Sequence, residues 1–317
     1  ACSSNFEKVG CLILAGGEGS RLGFSGPKGC IFLPLKKRAT LFELLLKKIG
    51  AKARKGPVAI MTSERNHSAT RLFFEKNDYF GLKSDEIELF SQNSCALSDP
   101  DGYLIYDSDR NERRAPNGNG EALALLYHLG IWKKWKEAGV ESVQVLPIDN
   151  PLAEPFDPEF LGVHERLNTE LVLKCITRDD ADEKVGIVGF RNNRLSIHEY
   201  SEASFQVKKG KKGKGLQFFL GNTGLFSISM ECIERIKGLF LPWHISRKID
   251  RYLGGNNKEI FKYEKFLFDI FPSAETFQII LSPRSACFAP LKTLNGTEGL
   301  KSVAFAVEKK IKSSKKT

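Results

Sequence analysis

Short apolar runs alternate with amphipathic stretches along the first half of the chain. The apolar runs have the length and the flanking glycines or polar residues that are typical of buried strands. They cover residues 9–15, 56–63, 86–92 and 141–151. Because a helical pattern separates most of these strands, their order predicts a mainly parallel sheet with helices on both faces, the α/β class.

The amphipathic stretches repeat apolar residues at intervals of three and four, as one face of a helix does. One helix is predicted to begin near residue 40, where Thr40 and Glu43 have the spacing of a capping box. The others are predicted at 65–77 and 120–139. These helices supply the crossovers that parallel strands require.

The second half of the chain is richer in strand-like sequence, and RNNR at 191–194 predicts a hairpin turn there. IERIKGLF at 233–240 and HISRKIDRY at 244–252 predict helices, and TFQIILSP at 276–283 predicts a last strand. We therefore expect one large α/β domain over 1–307, with a mixed, mainly parallel sheet and a β-rich insertion. A basic tail, 308–317, is expected to fray.

Composition changes this picture little: 41% of residues are hydrophobic, as in ordinary globular proteins. No apolar run approaches the length that spans a bilayer, and the first residues lack the pattern of a signal peptide, so a cytoplasmic protein is expected. The seven cysteines are scattered and form no C-x-x-C. Reduced thiols are therefore predicted, rather than a zinc site or a disulfide framework.

The net charge of +10 comes largely from two lysine runs, 208–215 and 309–317, without which the chain is near neutral. A solvated loop and tail explain such runs, and attraction of a polyanionic partner is the alternative. A basic nucleic-acid-binding protein would show strongly salt-dependent binding that is lost when both runs are removed. Because the excess charge is confined to these runs, nucleic acid is not the expected partner.

The segment most suggestive of chemistry is LILAGGEGSRLGFSGPKGC, residues 12–30, which follows the first predicted strand. Ligands of open α/β sheets bind beyond the carboxyl ends of the strands, and glycines let backbone N–H groups approach phosphate oxygens. The segment matches neither the dinucleotide-binding pattern G-x-G-x-x-G nor the P-loop pattern. The first mismatch argues against the alternative that the protein is a nicotinamide-dependent dehydrogenase. Arg21 and Lys28 could reach one triphosphate, although a plain surface loop with solvated cations remains an alternative.

These residues resemble a known signature, L-A-G-G-x-G-[ST]-R-L-G followed by P-K-G, of the eukaryotic-type UDP-N-acetylhexosamine pyrophosphorylases within the UDP-sugar pyrophosphorylase group. Further segments resemble that family in the same order over about residues 9–307. They include MTS at 61–63, FFEKNDYFGL at 73–82, PNGNGEAL at 116–123, PIDNPLAEPFDPEFLG at 147–162, FFLGNTGLFS at 218–227, FKYEKFLFDIF at 261–271 and CFAPLK at 287–292.

The resemblance implies a Rossmann-like, GT-A-like nucleotidyltransferase fold that binds UTP and a hexose 1-phosphate. The implied reaction joins UTP and N-acetylglucosamine 1-phosphate into UDP-N-acetylglucosamine and pyrophosphate with Mg²⁺. Catalytic positions would be Arg21, Lys28 and Lys292. Nucleotide contacts would be Leu14, Ala15, Gly16, Gly17, Gln92, Gly118 and Lys262. Sugar contacts would be Asn119, Gly186, Glu199, Tyr200, Asn222, Phe266 and Phe268. Asp149 would hold the metal.

The residue types suit this chemistry independently of the family. Attack of a sugar phosphate on the α-phosphorus brings anions together, so cations are needed to neutralise them. No general base is required, because a phosphate nucleophile is already ionised. Asp149 ends a predicted strand, where a carboxylate can share a hard cation with phosphate oxygens.

Two departures from the family pattern concern the sugar. Asn119-Gly120-Glu121 replaces the family's N-G-G, which is expected to place a carboxylate where glycine lets the chain pass close to the ligand. TGLFS follows Asn222 in place of the family's usual residues. UDP-glucose formation or a broad UDP-sugar activity is therefore the nearest alternative. Family members are also longer, with a small C-terminal domain expected after FAPLK. A further alternative is therefore that this protein is an inactive relative that binds nucleotide.

Overall fold

The computed structural model of the chain describes residues 6–52, 55–213, 215–251 and 257–314. The strands, in chain order, are β1 Val9–Leu14, β2 Phe32–Leu33, β3 Ala39–Thr40, β4 Val58–Ser63, β5 Ile87–Gln92, β6 Ser94–Ala96, β7 Arg114–Pro116, β8 Ser142–Pro147, β9 Leu171–Thr177, β10 Gly186–Arg191, β11 Arg194–His198, β12 Lys211–Lys212, β13 Gly215–Leu216, β14 Leu220–Ser229, β15 His244–Arg251, β16 Asn257–Glu264 and β17 Phe277–Leu281. The helices are α1 Leu41–Gly50, α2 His67–Lys76, α3 Ala122–His128, α4 Ile131–Glu137, α5 Pro158–Leu167, α6 Phe205–Lys209, α7 Met230–Ile236, α8 Arg284–Cys287 and α9 Leu300–Ser314.

A central sheet organises the molecule, with strands in the order β11-β10-β14-β8-β1-β4-β5 and with β9 paired to both β14 and β17. Strands β1, β4, β5 and β8 are mutually parallel, whereas β14 runs antiparallel to β8, β9 and β10. The predicted mixed, mainly parallel α/β architecture is therefore confirmed.

The register brings the carboxyl ends of the parallel strands together. Leu14 of β1 lies opposite both Met61 of β4 and Pro147 of β8, and Ser63 of β4 lies opposite Gln92 of β5. The segments that follow these strands are consequently neighbours at one edge of the sheet, the edge where ligands bind in such folds.

The core fills both faces of the sheet. Along β1, Cys11 and Ile13 join one buried cluster together with residues of α1, whereas Leu12 joins a second cluster with residues of α3 and α4. Successive strand residues point to opposite faces, so a strand apolar at consecutive positions must be covered on both sides. The helices were predicted to cover both faces, and they do.

Several predicted elements differ in detail. The helix predicted at 120–139 is two helices, α3 and α4, because Gly130 adopts a left-handed φ of +79° between them. The capping box is half formed: the Glu43 amide donates to Thr40 Oγ1 at 3.1 Å, while the Glu43 carboxylate pairs with Lys47. The RNNR turn is confirmed, with Arg191 paired to Arg194 in the hairpin.

The helix predicted at 244–252 is wrong, since His244–Arg251 is strand β15. Ile245 and Ile249 are four residues apart, which fits one face of a helix but equally places both on one face of a strand. Tyr252 lies outside the described residues. Of IERIKGLF, only the part within α7 is helical.

Residues 308–314, predicted to fray, continue helix α9, which crosses residue 307 without a break. The rest of the tail, 315–317, and residue 214 of the other lysine run lie outside the described residues. Among the helices described, none combines the length and the apolar character needed to cross a bilayer.

Candidate functional site

The glycine-rich segment after β1 folds into a closed loop held by its own backbone. Gly19 donates to the Gly26 carbonyl at 3.0 Å, and Lys28 donates to the Gly17 carbonyl at 3.0 Å. Gly23 and Gly26 have positive φ values of 64° and 137°, which glycine adopts without steric cost. The loop therefore returns Lys28 to the end of β1.

A buried side chain braces this loop from outside it. Asn66 Nδ2 donates to the carbonyls of Ala15 and Gly17 at 3.1 and 3.2 Å, while its Oδ1 accepts from the Ser63 amide at 2.8 Å. Asn66 is 1% exposed, so these bonds replace water and fix the loop against β4. Ala15 is itself buried beneath the loop, and its side chain is not available to a ligand.

Lys28 meets Asp149 at the centre of the site. Lys28 Nζ lies 3.0 Å from Asp149 Oδ2, and the two side chains are 10% and 23% exposed. Asp149 follows β8, and its carbonyl accepts from the Leu291 amide at 2.8 Å, so the carboxylate is held by the fold. The predicted cation and the predicted metal ligand are thus direct neighbours.

A cleft of about 420 Å³ opens above this pair at the carboxyl edge of the sheet. The predicted site residues that line it come from five separate segments of the chain. They are Leu14, Gly16, Gly17, Arg21, Lys28, Gln92, Gly118, Asn119, Asp149, Lys262 and Phe266. Folding thus gathers most of the predicted nucleotide contacts into one place.

The cleft contains more cations than anions. The basic residues that line it are Arg21, Lys28, Arg65, Lys248 and Lys262. The acidic ones are Glu18, Asp149 and Glu264. Such a surface favours a polyanionic ligand, with the carboxylates available to order the cations or share a metal ion.

Gln92 lies against the backbone of Gly16 at the wall of the cleft. A Cβ on Gly16 would lie 2.6 Å from Gln92 Nε2, closer than side chains tolerate, so glycine permits this contact. Gln92 is 6% exposed, and within the described part of the chain its amide has no hydrogen-bond partner. A buried, unpaired amide facing a cleft offers a donor and an acceptor to a ligand.

The β15–β16 hairpin forms another wall. Lys248, Lys262 and Glu264 share its cleft-facing side, and Lys262 Nζ lies 2.7 Å from Glu264 Oε1. The hairpin is fastened by Ser98, whose backbone pairs with Phe261 and whose Oγ lies 2.8 Å from the Tyr263 hydroxyl. Lys262 therefore reaches the cleft, with Glu264 as its present partner.

Aromatic rings adjoin the cleft beside this hairpin. Phe266 and Phe268 are stacked, with ring centroids 5.0 Å apart, and Phe266 alone of the two lines the cleft. The His244 ring lies 4.7 Å from that of Phe266. Phe268 also packs against the core, so the pair is both wall and support.

His244 is enclosed by two carboxylates. Its Nδ1 lies 2.9 Å from Glu202 Oε1 and its Nε2 lies 2.8 Å from Asp269 Oδ2. Burial disfavours the charged ring, but the hydrogen bonds to Glu202 and Asp269 outweigh burial and raise the pKa of His244. The contacts of His244 with Glu202 and Asp269 thus link three segments of the chain.

The other predicted sugar contacts lie outside the cleft lining. Gly186 is the register partner of Asn222 between β10 and β14, and the bulge after Asn222 places Gly224 against Pro147. Glu199 and Tyr200 follow β11. Burial raises the pKa of Glu199. The sugar roles of these residues remain predictions.

Lys292 does not line the cleft either. Its Nζ lies 2.9 Å from Glu298 Oε1 and 3.4 Å from the Lys184 carbonyl. The segment before it is tied to the Asp149 turn, where Asn150 accepts from the Ala289 amide and donates to the Cys287 carbonyl. Lys292 would have to exchange Glu298 for a phosphate, so its catalytic role remains a prediction.

Asn66, Arg65, Glu18, Lys248 and Glu264 were missed by the sequence analysis. Arg65 lines the cleft, with Nη1 3.8 Å from Glu18 Oε2 and Nη2 donating to the Arg114 carbonyl. The sequence did carry a signal for Arg65 and Asn66, because ERN at 64–66 directly follows the buried strand β4, which neighbours β1. Lys248 of β15 was missed because the segment 244–252 was predicted to be a helix.

The expectation for Glu121 is corrected. Its carboxylate is not part of the cleft lining and instead contacts Asn93, Asn117 and Lys265. The missing side chains of Gly118 and Gly120 leave room for the close approach of Lys265. The departure from N-G-G therefore changes a contact between protein segments.

The residues suit a magnesium ion that is shared with phosphates. Asp149 Oδ2 pairs with Lys28, and the carboxylate is partly open to the cleft. Across the described residues no group of three or more His, Cys, Asp or Glu side chains is placed to hold a metal. Mg²⁺ is commonly held by one or two carboxylates plus substrate phosphates and water, which fits this arrangement.

Fold and cleft together define an α/β protein of the nucleotidyltransferase class. Residues 1–317 match the family described as UTP--glucose-1-phosphate uridylyltransferase, and the chain belongs to that family.

It is 33% identical over 313 residues to a Schizosaccharomyces pombe protein named "Probable UDP-N-acetylglucosamine pyrophosphorylase", covering 90% of this chain and 66% of the relative. The chain thus spans about two thirds of the length of such curated relatives, and 61% of one from Arabidopsis thaliana.

Solved structures agree with this assignment. The uridine diphosphate N-acetylglucosamine pyrophosphorylase of Trypanosoma brucei, solved with an inhibitor, superposes with a TM-score of 0.82 at 29% identity, covering 95% of this chain and 64% of that one. A UDP-glucose phosphorylase of the same organism gives 0.76 at 17% identity, covering 90% and 63%, and shows the fold alone. The family resemblance found in the sequence is confirmed.

Proposed function

We propose that this chain is a uridylyltransferase that forms UDP-N-acetylglucosamine and pyrophosphate from UTP and N-acetylglucosamine 1-phosphate, assisted by Mg²⁺. The observation that carries the proposal is the contact between Lys28 and Asp149 at the centre of a cationic cleft. The names of the relatives support the choice of substrates.

In the proposed reaction, an oxygen of the sugar phosphate attacks the α-phosphorus of UTP. The bond from that phosphorus to the bridging oxygen breaks, and pyrophosphate leaves with the bonding electrons. Arg21 and Lys28 would bind the triphosphate and neutralise charge as it moves onto pyrophosphate. Lys262, on the opposite wall, would contact phosphate after releasing Glu264.

The nucleoside would lie between the glycine loop and Gln92. The loop backbone at Gly16 and Gly17 is accessible from the cleft, and the Gln92 amide can donate to and accept from a base edge. Leu14 and Gly118 would complete this wall.

The proposed magnesium ion would be held by Asp149. When bound, it would stabilise negative charge on the phosphate oxygens that it contacts. The protein itself holds the carboxylate in place. The Asp149 carbonyl accepts a hydrogen bond from the Leu291 amide, and Lys28 orients the Asp149 side chain.

The sugar would be received beside Phe266 and Phe268, near Asn119. Gly186, Asn222, Glu199 and Tyr200 are the further contacts proposed. A second candidate is glucose 1-phosphate, since the fold is shared with UDP-glucose pyrophosphorylases. The cleft residues proposed to bind the triphosphate would serve either reaction, so they do not distinguish the two sugar phosphates. A comparison of sugar phosphates as substrates is needed to decide between them.

The direct test measures pyrophosphate release from UTP with Mg²⁺ and each of three sugars: N-acetylglucosamine, N-acetylgalactosamine and glucose 1-phosphates. We expect the first to give the highest kcat/KM. Faster turnover of glucose 1-phosphate would favour the second candidate. Absence of release with every hexose 1-phosphate would contradict the proposed activity.

We also propose that the protein acts in the cytoplasm. Its described cysteines are free thiols, and most of them are buried. Free thiols are typical of compartments that keep cysteine reduced. Fluorescence microscopy of the tagged chain checks this, and accumulation in a secretory compartment would contradict it.

A further inference from the structure

Glu121 is the centre of a hydrogen-bond network behind the cleft. Its carboxylate accepts from Asn93 Nδ2 at 2.8 Å, from Asn117 Nδ2 at 3.0 Å and from Lys265 Nζ at 2.7 Å. The side chains of Glu121 and Lys265 are 24% and 16% exposed, so water competes only partly for these bonds. Three donors from three segments thus converge on one side chain.

The backbones of two of these segments run in direct contact. Gly120 donates to the Lys265 carbonyl at 2.9 Å, and Lys265 donates to the Asn117 carbonyl at 2.8 Å. A Cβ on Gly118 would lie 2.3 Å from the Lys265 carbonyl oxygen, and one on Gly120 would lie 2.6 Å from Lys265 Cβ. The two glycines allow this approach, and the ion pair across it holds the segments together.

The joined segments carry residues of the cleft itself. Asn119, between the two glycines, accepts from the Leu267 amide through Oδ1 at 3.0 Å, and both Gly118 and Asn119 line the cleft. Phe266, the neighbour of Lys265, lines it from the other segment. Lys265 also lies over the Trp243 ring, with Nζ 4.6 Å from the centroid, so its position is fixed from a second side.

We infer that Glu121 is a positioning residue for substrate binding, which fixes Gly118, Asn119 and Phe266 at the cleft wall without touching the ligand. This inference rests on the proposed function. It assigns to Glu121 a role in ground-state binding, whereas Lys28 and Asp149 act at the reacting phosphates.

The charge state of Glu121 agrees with this role. Burial raises the pKa of its carboxyl group, but the bonds from Lys265, Asn93 and Asn117 outweigh burial and lower the pKa below its ordinary value. The carboxylate is therefore ionised when the network is formed, and an acceptor without a proton can serve all three donors.

The experiment compares Glu121→Ala, Glu121→Gln, Lys265→Met and the Glu121→Ala/Lys265→Met double variant. We expect Glu121→Ala to raise the KM for UTP about tenfold while kcat changes less than about threefold, because the lost interaction positions bound substrate equally in ground and transition states. Glu121→Gln, which keeps the length and one acceptor, should give a smaller rise. The double variant should resemble the worse single variant, since the pair acts as one unit.

Glu170→Ala is the matched control. It removes a two-bond ion pair with Arg235, at 2.6 and 2.7 Å, outside the cleft. We expect it to lower the melting temperature and to leave KM unchanged. If Glu121→Ala lowers the melting temperature without changing KM, Glu121 has only a structural role and the inference is overturned.

Calorimetric titration with UTP alone separates this inference from the proposed activity. If the wild type binds UTP but releases no pyrophosphate, the activity fails, and a tenfold weaker Kd of Glu121→Ala still supports the inference. An unchanged Kd overturns it. If Glu121→Ala does not fold, the same titration is made with Glu121→Gln and Lys265→Met. An unchanged Kd for UTP in both of these variants overturns the inference. A wild type that binds no UTP overturns both.

Discussion

Lys28 and Asp149, 121 positions apart in the chain, meet at 3.0 Å where β1 and β8 end side by side. The Gly17 carbonyl fixes the Lys28 backbone and the Leu291 amide fixes that of Asp149. Lys28 and Asp149 therefore lie on two turns, each of which is held by its own backbone hydrogen bond. This arrangement keeps a cation and the carboxylate that we propose holds Mg²⁺ together at the point where we propose the phosphates bind.

The first prediction concerns turnover. Lys28→Ala and Asp149→Ala should each lower kcat about 100-fold or more, because each removes charge stabilisation of the transition state. The fold should persist, since β1 and β8 keep their buried contacts. Steady-state kinetics of pyrophosphate release and circular dichroism measure the two effects.

Lys47→Ala is the control for the loss of a lysine, because Lys47 is an exposed residue of α1 whose partner is Glu43. It should retain wild-type kcat. Wild-type kcat in Lys28→Ala or Asp149→Ala would remove that residue from the proposed mechanism.

The second prediction concerns the nucleoside wall. Gly16→Ala should raise the KM for UTP about tenfold, because the new methyl group displaces the Gln92 amide that it would meet at 2.6 Å. The melting temperature should change little, since the displaced atoms are the end of a flexible side chain.

Gly215→Ala, a site with open space around the added methyl group and outside the cleft, controls for the substitution itself. Its KM should equal that of the wild type. An unchanged KM in Gly16→Ala would show that the position of Gln92 does not affect UTP binding.

The parallel strands β1 and β4 could be predicted because each is buried on both faces. In β1 and β4 burial on both sides leaves one secondary structure that fits the length of the run. The hairpin β15–β16 could not, because Ile245 and Ile249 point outward and are 53% and 76% exposed. The polar side of β15 places Lys248 at the cleft, so neither side of this strand carries a buried apolar pattern.

The candidate site was predictable where its residues lie close together in the sequence. Arg21 and Lys28 lie in one short loop whose glycines mark it in the sequence. Asn66 braces that loop from beyond β4, and Glu121 acts through Lys265, 144 positions away. Such contacts depend on which strand ends and loops become neighbours, and that information appears only when the chain is folded.

The third prediction is a pH dependence of stability. Only a protonated ring can donate from both nitrogens of His244, to Glu202 and to Asp269. Its folded pKa is raised above the unfolded value of about 6.5, so the stabilisation is complete below that pH and is lost as pH rises through the folded pKa. Between about pH 6 and pH 8.5, the wild-type melting temperature should fall about 2 °C more than that of His244→Gln.

His128→Gln is the matched control, because His128 is exposed on the last turn of α3. Its melting temperature should follow that of the wild type across the same range. Equal pH dependence in the wild type and His244→Gln would show that the two carboxylates do not hold a charged ring.

The last prediction separates backbone strain from close approach at the glycines beside Lys265. Gly118 and Gly102 have nearly equal φ values, +86° and +89°, so alanine costs each about 1–2 kcal/mol of left-handed strain. At Gly102 the space around the new methyl group is open, whereas at Gly118 it meets the Lys265 carbonyl oxygen at 2.3 Å. Backbone cannot move aside as a side-chain end can, so Gly118→Ala should lose about 2–5 kcal/mol of unfolding free energy in total, more than Gly102→Ala. Urea denaturation of both variants measures the difference. Equal losses would mean that the two segments separate without cost, and the contact between them could then not position the cleft wall.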